Sequence, residues 1–195
     1  PDRSNGYEEF ARRFAAIRDN STVGVSKVTE WAKSLPEGAR VLDLGCGNGM
    51  PISQVLVQGG FRVHGIDASP TLVAQFRKRL PGATVDCAAV ENASLPESQF
   101  DAAIAWGLIF LLSPEVQARV IAKVSRALKP GGRFMFTAPS QKCEWRDALT
   151  GRRSVSLGAE HYRELLGRHD LELLSETTDE GENHYFLAAR RPDTG

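Results

Sequence analysis

VLDLGCGNG, residues 41–49, is the stretch of sequence that decides the fold. A short apolar run ends here, three glycines alternate with other residues, and an amphipathic segment follows, as at a turn from a buried strand into a helix. Glycine lets the backbone turn sharply and approach a ligand closely, and the free amides at a helix start favour negative groups. In open α/β sheets, ligands bind at such turns. The stretch therefore predicts a sheet and a ligand site at its edge.

Strands and helices alternate along the chain on the carboxyl side of this turn. Strands are predicted over 39–44, 61–66, 83–88, 100–106 and 132–138, with helices over 51–58, 69–80 and 113–128. About the first 35 residues read as helical, and 139–158 form a long loop without clear periodicity. A helix over 160–167 and an antiparallel hairpin from 170–177 and 183–190 follow. This order predicts a doubly wound α/β fold, mostly parallel, with helices on both faces.

Composition sets limits on the class of protein. The 195 residues fit one domain, and 24 basic side chains balance 24 acidic ones, which argues against a broad basic surface for nucleic acid. Cys46, Cys87 and Cys143 are odd in number and widely spaced, so they suggest neither a disulfide framework nor a thiolate zinc site. No apolar run has the length of a membrane span, and the start lacks a signal-peptide pattern. We expect a cytoplasmic protein.

The glycine spacing distinguishes between two nucleotide ligands. A dinucleotide fingerprint needs its third glycine at position 50, which is Met50. The chain instead has G-x-G-x-G, with Asp43 two residues before Gly45. Asp67 ends the second strand 22 residues later, where a carboxylate accepts hydrogen bonds from both ribose hydroxyls. The pattern resembles motif I of the class I S-adenosylmethionine-dependent methyltransferases.

Further segments resemble that family in register. Asp67 matches its ribose-binding acid, Glu91 its adenine-binding acid in the segment ENASLP, and residues 128–132 its LKPGG turn, although Glu91 stands where the family usually has Asp. The sequence GMPIS at 49–53 and the segment DEGENHY at 179–185 resemble a bacterial subgroup of small-molecule methyltransferases. The resemblance implies that these residues bind the cofactor: Asp43, Gly45, Cys46, Gly47, Asn48, Gly49, Asp67, Ala68, Ser69, Glu91, Asn92 and Trp106.

The family also implies an architecture and an activity. We expect a seven-stranded sheet of order 3-2-1-4-5-7-6 with strand 7 antiparallel, in a single domain over 1–195. Within it, 1–36 form a helical cap, 39–138 the cofactor-binding core, and 139–195 a substrate-side loop, helix and hairpin. The activity is transfer of a methyl group from S-adenosyl-L-methionine to N, O or S of a small molecule, leaving S-adenosyl-L-homocysteine. An NAD-dependent oxidoreductase and a non-catalytic S-adenosylmethionine-binding protein are the alternatives.

Candidates for chemistry beyond the cofactor are weaker, because the apolar stretch after Trp106 offers no proton acceptor. Trp106 itself either walls the cofactor or belongs to the core. Candidate general bases are His161, Tyr162 and His184, against which an ordinary structural or surface role stands open. Substrate contacts are expected from the cap and the long loop, with solvated faces as the alternative: Tyr7, Arg18, Trp145, Arg152 and Arg153.

Two classes of ligand are not expected. The four histidines show no metal-ligand spacing, and no cluster of carboxylates follows the fourth and fifth strands, so we predict no metal. Nucleic-acid amino methyltransferases carry an N/D-P-P-Y-like motif after strand four, where this chain reads AWGLIF. We therefore expect a small-molecule acceptor as partner, with no nucleic acid and no membrane, and both monomer and homodimer stay open.

Overall fold

The computed structural model describes residues 3–192, so the predicted cap and tail extend at residues 1–2 and 193–195 outside the described residues. Two short helices come first, α1 (Ala11–Asp19) and α2 (Val25–Ala32). The alternating core then follows as β1 (Arg40–Leu44), α3 (Ile52–Gln58), β2 (Arg62–Asp67), α4 (Pro70–Arg79), β3 (Thr84–Cys87), β4 (Phe100–Ala105), α5 (Pro114–Ala127) and β5 (Leu128–Thr137). The last part contains β6 (Lys142–Arg146), β7 (Arg153–Leu157), α6 (Ala159–Arg168), β8 (Leu171–Thr178) and β9 (His184–Arg190).

A seven-stranded sheet organises the described residues in the order β3-β2-β1-β4-β5-β9-β8. β1 pairs in parallel with β2 and β4, and β9 runs antiparallel to both β5 and β8. Since β8 and β9 are the sixth and seventh strands of this sheet along the chain, the predicted order 3-2-1-4-5-7-6 with an antiparallel seventh strand is confirmed. The strand order along the chain reverses between β1 and β4, and such a switch point is where α/β sheets bind ligands.

Helices cover both faces of the sheet. On one face Val120 and Ile121 of α5 and Leu166 of α6 join a cluster with Leu42 and Phe134 of the strands. On the other face, buried side chains of α2, α3 and α4 pack against the strands, and this cluster includes Val28, Leu56, Phe76, Val41 and Ile104. The central strands β1 and β4 are buried on both sides, which explains why they read as apolar runs rather than as alternating patterns.

The segment 139–158 differs from its prediction. It was expected to be a loop without regular structure, but β6 and β7 pair as an antiparallel two-stranded sheet of their own. The strand signal is hidden because Ser154 and Ser156, which read as loop residues, are fully buried on either side of Val155. The Ser156 hydroxyl donates to the Pro139 carbonyl at 2.6 Å, and Gln117 Nε2 donates to the Val155 carbonyl at 2.9 Å. Ser156 and Gln117 thus form buried hydrogen bonds where an apolar face would be expected, while the buried Ser154 hydroxyl has no partner among the described residues.

Candidate functional site

A pocket of about 240 Å³ lies at the carboxyl edge of the sheet, beside the ends of β1, β2 and β4. The residues that follow these strands form its floor, and residues ahead of α1 and after β6 complete its walls. Its lining includes Asn5, Tyr7, Phe14, Arg18, Gly45, Asp67, Ala68, Glu91, Trp106, Leu108, Phe110 and Asp147.

The turn after β1 requires glycine for two reasons. Gly45 and Gly47 have φ angles of +69° and +56°, a region that other residues rarely adopt. A Cβ atom on Gly47 would also lie 2.9 Å from the Phe14 ring, and one on Gly45 would lie 3.0 Å from Leu108. Both neighbours line the pocket, so the bare backbone of this turn forms part of its surface.

Asp67 connects the glycine turn to the start of α4. Its Oδ2 accepts a hydrogen bond from the Gly47 amide at 2.9 Å, and its Oδ1 accepts one from the Ser69 amide at 2.9 Å. Burial raises the pKa of Asp67, and these two amide bonds act in the opposite direction. The carboxylate is therefore fixed in orientation while its residue lines the pocket next to Ala68.

Asp43 lies beneath the turn and is fully buried. Its Oδ2 accepts a hydrogen bond from the Ser53 hydroxyl on α3. Burial raises the pKa of Asp43 to about 7, with the charge of Asp67 adding to the rise and Ser53 and Arg18 opposing it. Asp43 borders a small cavity next to the main pocket, together with Cys46, Arg18 and Trp106.

Trp106 is held from both sides. Its indole Nε1 donates to the Tyr185 hydroxyl at 2.7 Å, and that hydroxyl donates to Asp179 Oδ2 at 2.6 Å. The Arg18 guanidinium lies over the indole ring, 4.1 Å from the centroid, where a cation interacts favourably with the π face. Asp179 also accepts from the Asn183 and Gly181 amides, so the turn between β8 and β9 fixes the plane of a pocket residue.

Comparison with known proteins agrees with this architecture. A model of the methyltransferase domain matches residues 41–132, from β1 into β5. Dimethylglycine N-methyltransferase of Parasynechococcus marenigrum is 32% identical over 136 residues, which are 67% of this chain and 48% of the relative. The tRNA U34 carboxymethyltransferase of Cellvibrio japonicus is 34% identical over 118 residues, 55% of this chain and 36% of the relative. The chain thus spans half or less of the length of these two relatives.

A solved structure extends the match of the fold over nearly the whole chain. The complex between the Haloferax volcanii Trm112 methyltransferase activator and a methyltransferase contains a chain that superposes with a TM-score of 0.80 at 15% identity. The superposition covers 98% of this chain and 99% of that one. The chain thus contains a methyltransferase domain, and its fold is that of the class I S-adenosylmethionine-dependent methyltransferases.

In this methyltransferase, the predicted cofactor residues fall into two groups. Gly45, Asp67, Ala68, Glu91 and Trp106 line the main pocket, and Asp43 and Cys46 line the small cavity next to it. The other predicted residues support the wall or lie beside it: Gly47 and Ser69 hold Asp67, Asn48 Nδ2 donates to Asp19 at 2.9 Å, Gly49 continues the turn, and Asn92 is exposed.

Only some of the residues predicted to contact the substrate line the pocket. Tyr7 and Arg18 line the pocket. Trp145 packs on Phe110, with ring centroids 5.3 Å apart, and so reaches the pocket only through that ring. Arg152 and Arg153 are exposed; a Cβ on Gly6 would lie 2.8 Å from Arg152 Nε, and Arg153 forms an ion pair with Glu144.

The candidate general bases lie away from the pocket lining. Tyr162 is fully buried in the core, where its hydroxyl donates to Gln117 Oε1 at 2.8 Å. His184 pairs with Glu176 at 2.8 Å, and His161 is exposed at the first turn of α6. Because each of the three lies in the core or at the surface away from the pocket lining, we do not propose any of them as the general base.

Sequence reasoning missed Phe14, Leu108 and Asp147. Phe14 belongs to the apolar stripe of the cap, and that stripe was the signal that one face of α1 is covered. Leu108 stands in the apolar stretch after β4, which gives no hint of contact with the glycine turn. Asp147 follows a strand that the sequence did not reveal, so no pattern indicated its position.

Two negative observations hold within residues 3–192. No group of three or more His, Cys, Asp or Glu side chains there is placed to hold a metal ion. Among the same residues, no helix combines the length and apolar character needed to cross a bilayer.

Proposed function

We propose that the protein transfers a methyl group from S-adenosylmethionine to an N, O or S atom of a small molecule. The observation that carries the proposal is the juxtaposition of the glycine turn and the Asp67 carboxylate in one pocket at the switch point of the sheet. Family membership supports the reaction class, and the pocket supports the choice of a small acceptor.

The residues present fit an adenosyl amino acid. The Asp67 carboxylate, fixed by two backbone amides, keeps lone pairs to accept hydrogen bonds from vicinal ribose hydroxyls. Ala68 and Glu91 line the same pocket and stand where the resemblance expects the adenine. The positive φ of Gly45 and its close approach to Leu108 leave the backbone bare where the amino acid portion would pass.

The cofactor, when bound, supplies both the activated methyl group and its leaving group, so the chain has to align the acceptor and exclude water. Apolar side chains suit the second task, and the pocket is lined by Phe14, Leu108 and Phe110. Trp106 offers a ring face that is fixed by Tyr185 and by Arg18. We infer that these residues orient the acceptor and keep water away from it.

The walls of the pocket favour a small acceptor. Arg3, Ser4, Asn5 and Tyr7 bound the pocket on the amino-terminal side, and Asp147 bounds it beyond β6. One relative is named for methylating dimethylglycine and another for modifying tRNA, so relatives span both classes. The walls contributed by the cap and the β6–β7 hairpin support the first class for this chain.

The alternatives make different predictions about binding. A dinucleotide enzyme would need a glycine at position 50, but Met50 stands there and its carbonyl accepts from Arg18 Nε at 3.3 Å. A non-catalytic protein would bind the cofactor without turnover. Calorimetry with S-adenosylhomocysteine and with NAD distinguishes the proposed enzyme from a dinucleotide enzyme. Turnover of methyl-labelled cofactor with a panel of amines, phenols, thiols and acids distinguishes it from a non-catalytic binding protein.

We expect Asp67→Ala to weaken S-adenosylhomocysteine binding at least about tenfold, because hydrogen bonds from two hydroxyls to a charged group are lost. Asp86→Ala is the matched control, since Asp86 is a carboxylate on the neighbouring strand β3 whose side chain is 62% exposed. Binding of NAD alone by the wild-type protein, or full affinity in the Asp67 variant, would reject the proposed site.

A further inference from the structure

Two segments outside the main sheet meet across the pocket. Tyr7, ahead of α1, donates a hydrogen bond from its hydroxyl to Asp147 Oδ2 at 3.2 Å, and both residues line the pocket. Hydroxyl-to-oxygen bonds are usually about 2.7–2.8 Å long, so this contact is a weak one. A ligand group with a better geometry can therefore compete for the Asp147 oxygen.

The position of Asp147 is determined by the hairpin. Trp145 of β6 packs on Phe110, which places the end of that strand at the pocket. Asp147 Oδ1 accepts hydrogen bonds from the Leu149 amide at 3.0 Å and the Thr150 amide at 2.8 Å. One carboxylate oxygen thus holds the turn, and the other is left for the pocket.

A second polar group at this pocket has no partner among residues 3–192. Asn5 lines the pocket, and its Nδ2 atom is buried without a hydrogen bond. A buried amide donor without a partner is costly, so a site with an acceptor group for Asn5 is favoured. The segment ahead of α1 therefore provides a donor beside the Tyr7–Asp147 pair.

Apolar side chains form much of the remaining wall. Phe14, Trp106, Leu108, Phe110 and Leu112 line the same pocket. Aromatic and branched aliphatic side chains suit a flat apolar body better than a strongly hydrated one. The charged side chains that also line the pocket include Arg18, Asp67 and Glu91, and the last two are residues expected to bind the cofactor.

We propose that Asp147 is the acceptor-binding carboxylate: its Oδ2 accepts a hydrogen bond from the amine or hydroxyl that is methylated, on a small, flat, apolar molecule. Tyr7 occupies this oxygen when no acceptor is bound and releases it on binding. The inference rests on the proposed function, because it needs the cofactor in the neighbouring part of the pocket.

The test uses two nucleoside probes and needs no knowledge of the acceptor. S-adenosylhomocysteine has a neutral sulfur, whereas sinefungin carries an amine on the carbon that replaces the methylated sulfur. If Asp147 faces the transferred methyl position, it pairs with that amine. Calorimetry then gives the ratio of the two dissociation constants for the wild-type protein and for each variant.

Asp147→Asn is the informative variant, because the amide oxygen can still hold the turn while the pocket-facing atom becomes a donor. We expect sinefungin to bind at least about fivefold more weakly, relative to S-adenosylhomocysteine, than in the wild-type protein. Glu144→Gln is the control, since Glu144 is an exposed acid on the same hairpin that pairs with Arg153. Tyr7→Phe should leave the ratio unchanged or shift it toward sinefungin.

The outcomes separate the two proposals. If neither nucleoside binds the wild-type protein, the proposed function fails. If both bind, but Asp147→Asn weakens them equally or not at all, only the acceptor-binding role fails. An equal loss of both nucleosides in Asp147→Asn and in Tyr7→Phe would show that the pair is merely a clasp between the cap and the hairpin.

Discussion

At the scale of single residues, Asp43 combines two demands. It lies at the end of β1, fully buried against α3, and the Ser53 hydroxyl donates to it. Burial raises its pKa to about 7. The folded protein therefore holds a proton at Asp43 under conditions in which the unfolded chain, with an ordinary pKa of about 4, has lost it.

This pKa predicts a specific dependence of stability on pH. Because the folded pKa is raised, the stability that Asp43 contributes is fully present below about pH 4 and is lost as the pH rises to about 7. We expect Asp43→Asn to remove this dependence, so that its free energy of unfolding changes less between pH 5 and 8 than that of the wild-type protein. Urea denaturation at a series of pH values measures the difference.

Glu37→Gln serves as the control for this experiment. Glu37 is exposed in the turn ahead of β1, so its substitution should leave the pH profile of the wild-type protein unchanged. Parallel profiles for the wild-type protein and Asp43→Asn would contradict the raised pKa.

At the scale of elements, the turn between β8 and β9 acts on the pocket through one hydroxyl. Tyr185 accepts from Trp106 Nε1 and donates to Asp179, which in turn holds the amides of the turn. The segment DEGENHY, which the sequence singled out only as a resemblance, is therefore connected to the wall of the pocket. The orientation of the Trp106 ring therefore depends on the folded turn between β8 and β9.

Tyr185→Phe should separate stability from binding. It leaves Trp106 Nε1 and Asp179 Oδ2 without their bond, which costs about 1–3 kcal/mol, and it frees the indole to turn. We expect weaker S-adenosylhomocysteine binding, by about fivefold, together with a loss of the tryptophan bands in the near-ultraviolet circular dichroism spectrum.

Tyr162→Phe is the matched control for this variant. Tyr162 is also fully buried and hydrogen-bonded, but to Gln117 in the core. Its substitution should lower the free energy of unfolding while the affinity for S-adenosylhomocysteine stays as in the wild-type protein. If both variants lose affinity to the same degree, the turn supports the fold and not the orientation of Trp106.

The elements also show what the sequence could predict and what it could not. The strands of the main sheet were predictable because strands such as β1 and β4, buried on both faces, read as apolar runs next to glycine and proline signals. β7 was not, because Ser154 and Ser156 read as loop residues but are buried there, and Ser156 is held by a tertiary hydrogen bond. Asp147 lies in the turn between β6 and β7, so its position at the pocket could not be predicted either.

At the scale of the whole molecule, the balance of basic and acidic side chains favours a small acceptor over a nucleic acid. The sequence carries 24 basic and 24 acidic side chains, and Arg18, which lines the pocket, lies over Trp106. Binding to nucleic acid depends mainly on free basic groups that displace counterions from phosphates. Because one relative is named for tRNA modification, we base the expected size of the acceptor on charge and on the residues that line the pocket.

We therefore expect no saturable binding of bulk tRNA at physiological salt, with or without S-adenosylhomocysteine. The measurement is filter binding over a series of salt concentrations, because an electrostatic complex would lose affinity steeply as salt rises. A saturable complex with such a dependence would assign the protein to the class of the tRNA-modifying relative. In that case we would expect the β6–β7 hairpin to move away from the pocket, breaking the hydrogen bond between Tyr7 and Asp147.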